Sequence, residues 1–175
     1  RGHELHCGEP DRVIKTYRMP GLKFVISSWL RRVMAEEYDD PDAILVPNGI
    51  ERDLFDSPIR KKQARPTIGF LYGQQEIKGA PTVLDAIRHE RDRIPRLRAI
   101  AFGSSPILRQ HRRPSWLEYH LQPEQNEIPR LYRQVDCWIV PSTTEGLGMP
   151  GLEAAACRCP VVSTRCGGPE DYVED

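Results

Sequence analysis

From Thr67 onward, short apolar runs alternate with segments of helical pattern, and that alternation leaves few folds open. The runs are TIGFLY at 67–72, LRAIAF at 97–102, a weaker stretch around 116–121, CWIV at 137–140 and PVVS at 160–163. Between them, Val83, Leu84 and Ile87 mark one face of a helix near 81–93. Ile128, Leu131 and Tyr132 mark another near 124–134, opened by Pro123, and a third spans 150–157. Strands that are apolar throughout, rather than every second residue, are buried on both faces; alternated with helices they imply a parallel sheet. The expected fold is α/β, a doubly wound parallel sheet with helices on both faces. Ligands of such sheets bind beyond the carboxyl ends of the strands, which singles out the loops at 72–79, 103–106, 120–123, 141–149 and 164–168.

The first third reads differently. Residues 22–27 (LKFVIS) form a strand, Ser28 caps a helix that runs to Tyr38, and Asp39-Asp-Pro-Asp42 breaks it. A second short strand covers 43–46, and Pro47-Asn-Gly49 suits a tight turn with a left-handed residue. Residues 51–66 are charged, aperiodic and proline-bearing, as a connection between units is. Lysine plus arginine equal aspartate plus glutamate at 25 each, so no global field points to nucleic acid or an acidic partner. Apolar runs fall far short of the ~20 residues of a membrane span. Five cysteines, Cys7, Cys137, Cys157, Cys159 and Cys166, read as reduced thiols of a cytoplasmic protein. Cys157-Arg-Cys159 without a second ligand pair gives no expectation of a metal.

The chemistry concentrates in Ser142-Thr-Thr-Glu-Gly-Leu-Gly-Met-Pro-Gly-Leu-Glu153, a glycine-rich loop between strand 137–140 and a helix. Unpaired N–H groups and the positive end of the helix dipole attract phosphate, and Gly146 and Gly148 let the backbone approach it. Carboxylates repel phosphate, so Glu145 and Glu153 are suited instead to the hydroxyls of a sugar or ribose. Glu153 lies about one turn into the helix, so both acids can face one cleft. The bland reading is a solvated loop acid at Glu145 and a dipole-complementing acid at Glu153. The hydroxyls of Ser142, Thr143 and Thr144 either cap the following turn or donate to phosphate. Lys78, in Gly73-Gln-Gln-Glu-Ile-Lys-Gly79, sits on the same expected edge and could clamp a diphosphate with the helix start. Gly167-Gly168 is a second glycine turn near it. Of His3, His6, His89, His111 and His120, His120 alone falls near the binding edge.

These residues resemble the carboxyl-terminal, donor-binding domain of retaining GT-B glycosyltransferases, the group 1 type with an E-x7-E element. The resemblance runs over about residues 22–175. It rests on Val46-Pro-Asn-Gly-Ile-Glu-Arg-Asp-Leu-Phe55, on Ile77-Lys-Gly79 and on the segment from Pro141 through Glu145 and Glu153 to Gly167-Gly168. It implies a Rossmann-like second half of a GT-B fold: residues 1–50 as the end of an amino-terminal acceptor domain, 51–66 as linker, and 67–175 as a truncated donor domain. It further implies Lys78 on the donor diphosphate, Glu145 on the transferred sugar and Glu153 on the ribose. Backbone N–H groups of Gly146, Leu147, Gly148 and Met149, with Ser142, would face sugar and phosphate, while Gly73, Gly103 and Leu121 would border the nucleotide.

The implied reaction transfers a sugar, with retention and without a bound metal or other cofactor, from a nucleoside diphosphate sugar to a glycan, lipid-linked or small-molecule acceptor. The acceptor would be held by the missing amino-terminal domain. The protein would be cytoplasmic or peripheral to the inner face of the membrane, and the fragment alone inactive. Two departures stand out. The family commonly places an arginine where this chain has Gly73, and a glycine where it has Arg158. A nucleotide-sugar sensor without turnover and a nucleoside-diphosphate-sugar epimerase are the alternative readings.

Overall fold

The computed structural model describes residues 10–174; Cys7, His3 and His6 lie outside them. The chain divides into two compact units, one holding the chain up to Gly49 with Thr144–Gly148 and Arg165–Asp175, the other Ile50–Thr143 with Met149–Thr164.

In the first unit, helix α1 (Pro10–Tyr17) and helix α2 (Ser28–Glu37) accompany a parallel pair of two-residue strands, β1 (Phe24–Val25) and β2 (Ile44–Leu45). Val25, Met34, Tyr38 and Ala43 are buried together, with Ile14, Tyr17 and Leu30 against them. The cap of α2 is one residue earlier than expected. Ser27 is extended and its hydroxyl accepts from the Leu30 N–H at 3.3 Å, while Ser28 is already helical and donates its N–H to Asp171 Oδ2 at 2.7 Å. A carboxylate at a helix start satisfies an orphan donor and complements the dipole, which leaves Ser27 as the side-chain cap. None of residues 47–49 has a positive φ. The chain leaves β2 through them without a left-handed residue and enters the helix that starts at Arg52.

The second unit carries helix α3 (Arg52–Phe55), strand β3 (Thr67–Leu71), helix α4 (Ala80–Arg93), strands β4 (Arg98–Gly103) and β5 (Leu117–Leu121), helix α5 (Ile128–Arg133), strand β6 (Cys137–Val140), helix α6 (Met149–Ala156) and strand β7 (Val161–Ser163). All five strands pair in parallel in the order β5-β4-β3-β6-β7. From β3 the chain winds outward through β4 to β5, then crosses to β6 on the other side and winds outward again. In doubly wound sheets such a reversal sets helices on both faces and brings ligands to the carboxyl ends of the strands. The doubly wound α/β fold expected from the alternation is the one observed.

Phe70, Val83, Leu84, Ile87 and Leu97 are at most 3% exposed and form the packing between α4 and the sheet. Burial of each such side chain contributes about 1.5–3 kcal/mol, and this explains why their spacing dominates the sequence. Where polar contacts decide, the sequence signal is weaker. Helix α5 starts at Ile128 rather than near 124, because residues 124–127 make a separate turn closed from the Glu127 N–H to the Glu124 carbonyl at 2.9 Å. Residues 51–66 are not featureless. Phe55 is buried with its ring 6.3 Å from that of Tyr132, and Gln63 donates through its N–H to Asp136 Oδ1 at 2.7 Å and through Nε2 to the Arg133 carbonyl at 3.1 Å. Arg158 does occupy a left-handed position, φ 58°, after α6. Cys137, Cys157, Cys159 and Cys166 are free thiols, and burial raises the first three above the ordinary thiol range.

Candidate functional site

Beyond the carboxyl ends of β3 and β4 the second unit opens a cleft of about 610 Å³. Tyr72, Gly73, Gln74, Gln75 and Lys78 form one wall, Gly103, Ser104 and Ser105 another, and Gln122, Pro123 and Ile128 the third. Three of the expected residues, Gly73, Lys78 and Gly103, therefore meet in one cavity. Leu121 does not line it; this last residue of β5 is 51% exposed, and its neighbours Gln122 and Pro123 take the place expected of it. Among the described residues that line the cleft, Lys78 alone carries a formal charge.

Lys78 is held by its backbone. It closes a single 3-10 turn, Glu76–Lys78, and Gly79 follows in the left-handed region at φ 64° and starts α4. The Thr143 N–H donates to the Ile77 carbonyl at 2.9 Å, which ties the turn to the loop after β6. A Cβ at residue 79 would stand 2.0 Å from the Pro141 carbonyl oxygen, so glycine is required there both for its φ and for the close approach.

The opposite wall is fastened by side chains that sequence reasoning did not single out. Tyr72, 2% exposed, accepts the Leu108 N–H at 3.0 Å and shares a 2.7 Å hydrogen bond with His111 Nδ1. Gln74 Nε2 donates to the Pro106 carbonyl at 2.9 Å, and Gln122 Nε2 to the Ser104 carbonyl at 2.9 Å. Tyr119 donates to the Ser105 carbonyl and stacks edge-on with Tyr72 at 5.7 Å; burial, then Tyr72, raises its hydroxyl above the ordinary phenol range. Tyr72 follows β3 and Tyr119 lies in the middle of β5, with β4 between the two strands, so no sequence spacing marks them as partners. His120 instead meets Glu118 Oε1 at 2.8 Å.

Glu153 belongs to this unit but is not among the residues lining the cleft. It sits in α6, and its Oε2 accepts the Tyr132 hydroxyl at 2.8 Å. Burial raises its carboxyl above the ordinary range and the bond from Tyr132 partly offsets this; burial and then Glu153 push the Tyr132 hydroxyl well up. Ser142 is buried, and its carbonyl accepts the Thr164 hydroxyl. Pro150 lies in the first turn of α6, as the sequence indicates.

Glu145, Gly146, Leu147 and Gly148 belong to the first unit. The Glu145 N–H donates to the Cys166 carbonyl at 2.7 Å and the Gly168 N–H returns to the Glu145 carbonyl at 3.1 Å, a bridge that fixes the loop backbone. The Gly167-Gly168 pair serves this contact. A Cβ on Gly168 would lie 2.2 Å from the Gly146 carbonyl oxygen, and Gly167, at φ 101°, lies under the Trp29 ring. Gly148 is left-handed at φ 77°, and its carbonyl accepts the Tyr172 hydroxyl at 2.7 Å. Leu147 is buried, Glu145 half-buried, and Met149 opens α6 in the other unit.

Known proteins are similar to this chain in sequence or in fold. A sequence model described as glycosyl transferases group 1 matches residues 65–175. The D-inositol 3-phosphate glycosyltransferase of Corynebacterium jeikeium is 34% identical over 125 residues, covering 63% of this chain and 29% of that protein. The GDP-mannose-dependent alpha-(1-6)-phosphatidylinositol monomannoside mannosyltransferase of Mycolicibacterium smegmatis is 27% identical over 175 residues, covering 86% and 46%. Among solved structures, sucrose-phosphate synthase from Thermosynechococcus elongatus superposes with a TM-score of 0.80 at 17% identity, covering 99% of this chain and 49% of the other. The chain thus spans less than half of each protein.

Proposed function

The chain belongs to the glycosyl transferases group 1 family, and from that premise we propose that its parent enzyme transfers a sugar from a nucleoside diphosphate sugar and that this chain binds the donor. The observation that carries the reading is the cleft at the carboxyl ends of β3 and β4, whose lining has Lys78 as its one charged side chain among the described residues. A single ammonium in an otherwise uncharged cleft suits a diphosphate. It gains little from a neutral ligand and most from the charge that grows on the diphosphate as the sugar leaves.

Glu145 accepts hydroxyls of the transferred sugar and Glu153 those of the ribose. Glu153 keeps Oε1 for that task, since Tyr132 occupies Oε2. The N–H groups of Gly146 to Met149 face sugar and phosphate. Gly103, Gln122 and Pro123 border the base. Transfer proceeds with retention and without a bound metal, the ammonium and the start of α6 taking the place of a cation. The acceptor is a glycan, a lipid-linked sugar or a small molecule, in keeping with the phosphorylated inositol and phosphatidylinositol mannoside that appear in the relatives' names.

The test is a titration of the full-length protein with a panel of nucleotide sugars, followed by transfer and hydrolysis assays with and without EDTA and by NMR of the product anomer. Saturable binding, turnover unaffected by EDTA and a retained anomer are expected. Binding without turnover would turn the reading into a sensor, and inversion or EDTA sensitivity would refute the corresponding part.

A further inference from the structure

Gly73 stands where the resembled family commonly carries an arginine, and the structure gives this glycine a task. Its φ lies outside the left-handed region, so a positive φ is not what calls for glycine there. Space is what excludes a side chain. A Cβ at residue 73 would lie 2.6 Å from Lys78 Cγ, 2.8 Å from Lys78 Cβ and 3.7 Å from Lys78 Cδ. The aliphatic stem of Lys78 thus crosses directly over residue 73.

Nor can the lysine easily give way. A new rotamer would move Cγ and Cδ, but Lys78 Cβ moves only with its backbone. That backbone is held by the 3.0 Å bond from the Lys78 N–H to the Gln75 carbonyl, by the Thr143 bond to Ile77, and by Gly79 against the Pro141 carbonyl. Both residues line the same cleft.

We propose that Gly73 is a positioning residue, whose missing side chain is the space in which the Lys78 stem lies so that its ammonium reaches the donor diphosphate. The absent arginine is then no lost phosphate contact, and restoring it harms the site. The inference rests on the reading of Lys78 as the diphosphate cation.

The full-length protein is titrated calorimetrically with UDP, GDP and ADP and with the matching nucleosides, as wild type, Gly73→Ala, Gly73→Arg, Lys78→Ala and Gly73→Ala with Lys78→Ala. Gly73→Ala and Gly73→Arg are expected to weaken the preferred nucleoside diphosphate at least tenfold and to leave the nucleoside within about twofold, matching the loss of one charge-assisted contact. Gly73→Ala adds less than twofold once Lys78 is alanine. Equal or tighter diphosphate binding by either residue 73 variant overturns the proposal. If the wild type binds no nucleoside diphosphate, the donor reading fails, and the steric premise is judged separately by NMR without ligand. There Gly73→Ala must shift the amide resonances of Lys78 and Gly79, and unmoved resonances overturn it. Should Gly73→Ala fail to fold, adding Lys78→Gly removes the obstructing stem and restores folding; persistent unfolding also overturns it.

Discussion

Replacing Tyr132 by phenylalanine isolates the hydrogen bond that holds Glu153. Tyr132 is fully buried, its ring packed edge-on against Trp138 at 4.6 Å and Phe102 at 5.8 Å. Phenylalanine keeps those contacts and leaves no cavity beyond a hydroxyl. What is lost is the 2.8 Å bond to Glu153 Oε2. A hydrogen bond to an ionised group contributes about 1.5–3 kcal/mol and one between neutral groups about 0.5–1.5. Burial already raises the Glu153 carboxyl above its usual value of 4.5, and the tyrosine bond is the force opposing that shift. A carboxyl raised on folding binds more protons folded than unfolded, so its contribution is fully present below about pH 4.5 and is lost as pH rises through the raised value. Without the tyrosine the shift grows, and the loss with it. The cost of Tyr132→Phe should therefore rise from about 1 kcal/mol at pH 4 to about 2 at pH 7. Urea denaturation of both proteins across that range measures it as a change in midpoint at constant slope. In a Glu153→Gln background the same substitution should cost about 1 kcal/mol at every pH. A cost below about 0.5 kcal/mol at pH 7, or one that falls as pH rises, would refute the reasoning.

Glu145→Gln should weaken the intact nucleotide sugar about tenfold and leave the nucleoside diphosphate without its sugar unchanged, as read by calorimetry; equal loss for both ligands would remove its sugar role. Gly79→Ala should destabilise by at least about 2 kcal/mol, since it adds left-handed strain to a collision with the Pro141 carbonyl, and a melting temperature within a degree of wild type would contradict that. Tyr72→Phe strips the Leu108 N–H of its partner. Faster exchange of that amide and a stability loss of about 1–2 kcal/mol are expected, and unchanged protection would show that the loop does not depend on Tyr72.

The sequence revealed what burial repeats. Val83, Leu84 and Ile87 fix α4 and the uniformly apolar strands fix a parallel sheet, while the strand order leaves no mark in the alternation. It was less informative where one polar bond decides. Ser27 and Ser28 are equivalent caps until Asp171, more than a hundred residues away, takes the Ser28 N–H. Residues 51–66 read as linker because contacts such as Gln63 to Arg133 leave no periodic trace. The site divides in the same way. Lys78, Gly73 and Gly103 could be placed on one edge from strand ends alone. The bond between Tyr132 and Glu153, and the crossing of Lys78 over Gly73, depend on side-chain directions that no spacing encodes.

Calorimetric binding of the preferred nucleoside diphosphate by the full-length protein, compared between wild type and Lys78→Ala, bears most directly on the donor reading. The variant should bind about 10–100-fold more weakly, the equivalent of one charge-assisted contact of roughly 1.5–3 kcal/mol, with the unphosphorylated nucleoside unaffected. Diphosphate affinity unchanged by the loss of Lys78 would contradict it.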